Sequence, residues 1–238
     1  MRVLCSLLGL FAAACTSSPH GASGPLVTAS GRAFIFGATT GSLAGATVHV
    51  VEAPELRTTT AADATFSLQV PSGGECSFAI EQPGFHASQT AALYIGAGGI
   101  DHVGFQVPPD SIYNLVASVV GIDPDPARCQ IATTVSAAGT APYGGSGLGE
   151  PDATVTIDPP LPPSAGPVYF KYVSASVIIP DTTLTATTID GGVLFLNVPP
   201  GEYRLAAHKA GKQFTSVKLR CAAGALVNAA PPWGLQTL

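Results

Sequence analysis

Long apolar runs are missing from this chain, and so is charge. No segment reaches the roughly 20 apolar residues that a membrane-spanning helix needs. The nearest candidate, residues 3–14, is about a dozen long and has the length of an export signal. Asp, Glu, Lys and Arg make up only 11% of the residues, so charge repulsion does not hold the chain unfolded. Ten Lys and Arg against 15 Asp and Glu leave no basic excess for nucleic acid. A sustained apolar repeat at i, i+3, i+4 and i+7 is absent, and proline interrupts most candidates, which argues against a helical domain. The five histidines show no zinc-ligand spacing. Gly145-Ser146-Gly147 lacks the outer glycine spacing of a nucleophile elbow, and no βαβ context surrounds it. No nucleophile, base and acid can be assembled, so the expectation is a protein that is not an enzyme and carries no cofactor or metal.

What is abundant is turn and strand material. Gly 27 and Pro 21, with plentiful Thr, Val and Ala, predict short strands joined by many turns and an all-β fold. Acidic charge is concentrated early: residues 24–110 hold seven acids against Arg32 and Arg57, whereas 111–238 hold eight acids against seven bases.

The chain also repeats itself. Residues 58–93 and 186–219 each run through a Thr-rich strand, an Asp-bearing turn, a strand ending in Val-Pro, a glycine turn and a second strand. Upstream, "GATVHV" at 45–50 matches "DATVTI" at 152–157. Gly45, Ala46, Val48, Asp63, Phe66, Val70, Pro71, Gly73, Gly84 and Phe85 carry the pattern in the first copy. Asp190, Val198, Pro199, Pro200, Gly201, Tyr203 and Gly211 carry it in the second. These motifs resemble the carboxypeptidase regulatory-like, transthyretin-like module. The resemblance implies two Greek-key β-sandwich modules in tandem, at 31–108 and 112–238, with "VPPDS" at 107–111 as the boundary. The second copy departs by an insertion at roughly 158–183. Alternation supports sheets with one buried face: Phe66, Leu68 and Val70; Cys76, Phe78 and Ile80; Tyr203, Leu205 and Ala207.

At the N-terminus, Met1-Arg2, the apolar stretch and Ala12-Ala13-Ala14 predict a signal peptide over 1–14. Ala-Ala-Ala-Cys, ending at Cys15, resembles the lipobox of bacterial lipoproteins, although Ala12 stands where that family prefers leucine. The resemblance implies that Cys15 is acylated and anchors the protein, and that Thr16, not being Asp, directs it to the outer membrane or cell surface. Plain secretion or a periplasmic protein is the alternative. Residues 15–30 would hold the lipidated cysteine and a flexible tether, since 16–25 are small, polar and Gly/Pro-bearing.

Strand parity places the other cysteines. Cys129 is in phase with Ile131 and Val135, and Cys221 with Val217 and Leu219, so both point inward and predict a Cys129–Cys221 disulfide. Cys76 takes the slot of Tyr203 and is expected to be an inert buried thiol. Two surfaces are candidate binding features. Arg204 and His208, with Lys218 and Arg220 on a neighbouring strand, would form a basic stripe for a polyanion. Tyr169 and Trp233 are candidate glycan-stacking residues. Asp123 and Asp125 in "DPDP" read as turn chemistry. The function expected is a cell-envelope lipoprotein acting as a non-enzymatic binding or structural module. Its partners are the membrane through the lipid and a glycan or envelope protein, and not nucleic acid. A carbohydrate-binding surface protein is the alternative. Recognition is expected on the loops that differ between the copies, 139–151 and 158–183.

Overall fold

The structure, a computed structural model, describes residues 24–36, 41–139, 149–174, 177–230 and 234–238. The first half holds β1 (Leu26–Ile35), β2 (Thr47–Val50), β3 (Ala53–Thr59), β4 (Thr65–Pro71), β5 (Gly74–Cys76), β6 (Phe78–Glu81), β7 (Ser88–Gln89), β8 (Leu93–Ile95) and β9 (Ile100–Val107). One helix follows, α1 (Asp110–Val119). The second half holds β10 (Cys129–Ser136), β11 (Thr154–Asp158), β12 (Val168–Ser174), β13 (Val177–Asp181), β14 (Gly192–Val198), β15 (Gly201–His208), β16 (Val217–Cys221), β17 (Leu226–Asn228) and β18 (Leu235–Gln236). The fold is all-β, and β1 begins at Leu26, inside the stretch expected to be tether.

The two halves repeat one topology. β1 runs antiparallel to β4 and parallel to β9; β10 runs antiparallel to β14 and parallel to β17 and β18. Facing these, β2 pairs with β6 and β6 with β7, as β11 pairs with β15 and β15 with β16. The likeness reaches single hydrogen bonds. Thr60 Oγ1 accepts the Ala46 N–H at 2.9 Å and donates to the Leu43 carbonyl at 2.5 Å. Thr187 Oγ1 accepts the Ala153 N–H at 2.9 Å and donates to the Glu150 carbonyl at 2.6 Å. Each threonine thus closes the loop before the module's second strand, where buried backbone groups need partners.

Each sandwich has its own core. Val48, Phe66, Leu68, Val70, Cys76, Phe78 and Ile80 meet in the first, as the alternation of their strands predicts. Cys129, Ile131, Val135, Phe195, Tyr203, Leu205 and Cys221 meet in the second. Cys129 and Cys221 are bonded, with Cα atoms 5.7 Å apart and a sequence separation of 92. Cys76 is free and buried, and burial pushes its thiol up to about 11, so it stays protonated and inert.

The halves are not separate beads. β17 pairs with β7 in parallel, through Leu226 with Ser88 and Val227 with Gln89. This joins strands of both modules in one ten-stranded sheet, ordered β13-β12-β14-β10-β17-β7-β6-β2-β3 with β18 beside β10. The Ala92 N–H donates to the Lys218 carbonyl at 2.9 Å, and Gln89 Nε2 to the Arg220 carbonyl at 2.8 Å. Ala91 of the first half lies in the core of the second.

The expected boundary at 107–111 is instead the start of α1. Ile112, Val116 and Val120 recur every fourth residue with Tyr113 and Ala117 beside them, enough for one apolar stripe, half-buried around a buried Ala117, on a short helix. The prolines bracket this helix without interrupting it. Pro109 is its N-cap, where a missing N–H removes no helical bond. Gly121, at φ 72°, ends it: the Gly121 N–H bonds to the Ser118 carbonyl and the Ile122 N–H to the Ala117 carbonyl.

Candidate functional site

α1 lies over the outer face of the second module's sheet and leaves a cleft of about 320 Å³ beneath it. The sheet sequence explains why the helix docks there. In the first module β4 alternates, with Thr65, Ser67 and Gln69 exposed between buried Phe66, Leu68 and Val70. In β14 the equivalent outward positions are Leu194 and Leu196, and both are buried. A strand apolar on both faces needs cover on both. Val168, Phe170, Leu194 and Leu196 form a third core, packed against Val116, Val120, Ile122, Ala132 and Ile178.

Helix, sheet and hairpin each supply a wall. α1 contributes Ile112, Tyr113, Val116 and Ala117, and its terminating turn aims Ile122 inward. The floor is Ala132, Leu194 and Leu196; the β12–β13 hairpin adds Phe170 and Ile178. The helix is fixed to the first module at its start. The Asp110 N–H bonds to the Gly84 carbonyl at 3.1 Å, and the His86 ring stacks on Tyr113 with centroids 3.5 Å apart. Burial lowers the His86 pKa, opposed by nearby Asp110, and burial raises that of Tyr113.

Asp190 closes one end. Its Oδ2 accepts the Gly192 N–H at 3.1 Å, and burial raises its pKa. A side chain at Gly192 would fall 2.5 Å from Asp190 Oδ2 and 2.6 Å from the Phe170 ring, so only glycine lets carboxyl and ring share this corner. Among the described residues lining the cleft, Asp190 is the sole Asp or Glu, and none is Lys, Arg or His. Gln106, Gln130, Thr133, Thr134, Ser136 and Asn228 also line it, and Gln130 and Asn228 have partners within the fold. Gln130 bonds through both ends of its amide to Asn197, and Asn228 accepts the Ala230 N–H.

The residues singled out from sequence fall elsewhere. Tyr169 is 2% exposed and its hydroxyl accepts the Val155 N–H at 3.1 Å, so it is a core residue with no face for a sugar. The expectation failed because α1 covers the far side of β12; both faces of that strand are interior where Tyr169 and Phe170 sit. Trp233, Cys15 and residues 140–148 lie outside the described residues. Arg204, His208, Lys218 and Arg220 do lie on adjoining strands, with Arg204 opposite Lys218. Lys218 pairs with Glu75 of the first module at 3.0 Å, and Arg220 with Glu202 at 3.0 Å. Arg204 donates to Ser216 Oγ at 2.7 Å, and His208 Nε2 is 2.9 Å from Thr156 Oγ1. Lys218 and Arg220 are therefore offset by acidic partners, and the Lys218 pair ties the modules together. Asp125 accepts the Ala127 N–H and pairs with Arg128 at 3.2 Å, as a turn aspartate does.

The cleft itself was missed, although its signal was present. "VLFLNV" in the second copy stands against "TFSLQV" in the first, an apolar run against an alternating one.

No family model matches the chain. No curated protein matches it. Among solved structures it is similar to the Bacillus anthracis TIE protein, at 14% identity and a TM-score of 0.30, over 87% of this chain and 34% of that one. It is also similar to a Streptococcal ancillary pilin, at 9% identity and a TM-score of 0.25, over 90% of this chain and 62% of that one. A third is the shaft pilin SpaA from Lactobacillus rhamnosus GG, at 10% identity and a TM-score of 0.24, over 87% of this chain and 98% of that one. The chain thus spans about a third of the first of these and under two thirds of the second. Likeness of this extent decides nothing about function, and the fold rests on the strand pairing above.

Proposed function

We propose that this chain is a non-enzymatic binding module of the bacterial cell envelope, held to a membrane through acylated Cys15, with the cleft under α1 as its binding site. One observation carries the reading. The elements that the second copy adds to the shared sandwich, α1 and the β12–β13 hairpin, wall a single apolar cleft. Additions to a repeated scaffold are where such folds acquire recognition. The hairpin lies within the 158–183 insertion, where recognition was expected. The joined sheet would hold that cleft at a fixed orientation to the anchor-bearing first module. Two or more acyl chains hold a protein stably on a membrane, at about 0.8 kcal/mol per buried methylene. Fractionation tests the location: the wild-type chain is expected in the membrane fraction, and Cys15→Ser in the soluble one. An intact mass showing an unmodified N-terminus at Cys15 overturns the anchor.

A further inference from the structure

We infer that the cleft takes a small, uncharged, largely apolar molecule of ring size that presents one hydrogen-bond donor to Asp190. The inference rests on the reading of this chain as a binding module and names the ligand class. A volume of about 320 Å³ lies at the small end of ligand pockets, so the occupant is compact. Leu194, Leu196, Val116, Ile112 and Phe170 offer it aliphatic and aromatic contact. An anion fits poorly: no Lys, Arg or His lines the cleft among the described residues, and the Asp190 carboxylate would repel it. A polyol fits poorly as well, because a sugar needs many polar partners and most of the exposed lining is apolar. Both ends of the Gln130 amide already serve Asn197, and Asn228 Oδ1 serves Ala230. Asp190 is the sole carboxyl among the described lining residues; it holds one backbone N–H through Oδ2 and has lone pairs left for a donor, with Thr134 and Ser136 also on the lining.

Two dyes that share a skeleton test this. Phenylnaphthylamine is uncharged and carries one N–H; anilinonaphthalenesulfonate adds a sulfonate to it. Each is titrated by fluorescence into the full chain carrying Cys15→Ser, which keeps detergent out of the assay. The expected result is saturable binding of the uncharged dye to one site, at least about tenfold tighter than the sulfonate, a gap of about 1.4 kcal/mol. Ala132→Phe fills the floor and Val116→Phe fills the helix wall, and both positions are only half-buried, so the fold has room to accept them. Either change should weaken dye binding at least about tenfold by the same scale while the melting temperature stays near wild type. Sulfonate binding as tight as the uncharged dye, and lost in both variants, overturns the ligand class but leaves the binding cleft standing. Dye uptake that is unsaturable or unchanged in both variants overturns the class and the cleft together.

Discussion

Asp63 and Asp190 occupy the same turn in the two sandwiches, yet their carboxyls are pushed in opposite directions. Each accepts the backbone N–H two residues on, from Thr65 in one copy and Gly192 in the other, both at 3.1 Å. The Thr65 hydroxyl adds a second bond at 2.7 Å and, with solvent around it, the Asp63 pKa is lowered. Asp190 sits at the end of the cleft, and burial raises its pKa instead. One turn, duplicated, has become a solvated stop in one module and a half-buried polar group in the other. The cause lies in the strand that follows: Ser67 and Gln69 keep the first module's outer face wet, and Leu194 and Leu196 recruit α1 onto the second.

The largest difference between the copies to break is the disulfide, which has no counterpart in the first. Replacing Cys129 and Cys221 with serine should cost about 4–5 kcal/mol in the chain-entropy model. Non-reducing peptide mapping should recover the two cysteine peptides linked, with Cys76 alkylated only after denaturation; Cys76 found in the bridge contradicts the pairing. Next is Gly191→Ala. The first copy has an alanine here, Ala64 at φ 63°, whereas a Cβ on Gly191 would lie 2.2 Å from the Val135 carbonyl oxygen. Chemical denaturation should register a loss of about 2–3 kcal/mol.

Thr60→Val and Thr187→Val probe what the copies share. Each leaves a buried alanine N–H without its partner, and each should cost about 1–2 kcal/mol, equal within error. A large inequality would mean that the two clamps are not equivalent. Smaller still is the aspartate pair. The raised pKa of Asp190 means that the folded state binds its proton more tightly, so this group's contribution is full below the unfolded pKa and is lost as pH rises through the folded one. Asp63, lowered, contributes above its unfolded pKa and loses that as pH falls. Melting curves should therefore show Asp190→Asn raising the neutral-pH midpoint by about 2 °C, with the gain fading in acid. Asp63→Asn should lower the neutral midpoint and lose its effect in acid.

Much of this comparison was legible in the sequence. Residues with one task were easy to place: Tyr203, Leu205 and Ala207 face the core, and Cys129 and Cys221 share an interior by strand parity. Residues whose surroundings come from another element were not. Tyr169 alternates as an outward residue of a two-layer sheet, but a third layer changes which side is outside. α1 hid because its stripe, from Ile112 to Val120, is short and flanked by proline. The seam was invisible because β7 and β17 are two and three residues long and pair through backbone, which no side-chain pattern records.

Leu194→Ser with Leu196→Gln, which writes the first module's outer face onto the second, puts the central claim to hydrogen exchange. Amides of 113–120 should lose their protection, while those of β10, β14 and β15 keep theirs and the disulfide-closed core still melts cooperatively. A helix that stays protected in the double variant would contradict the account, because something other than this apolar face would then be holding α1 in place.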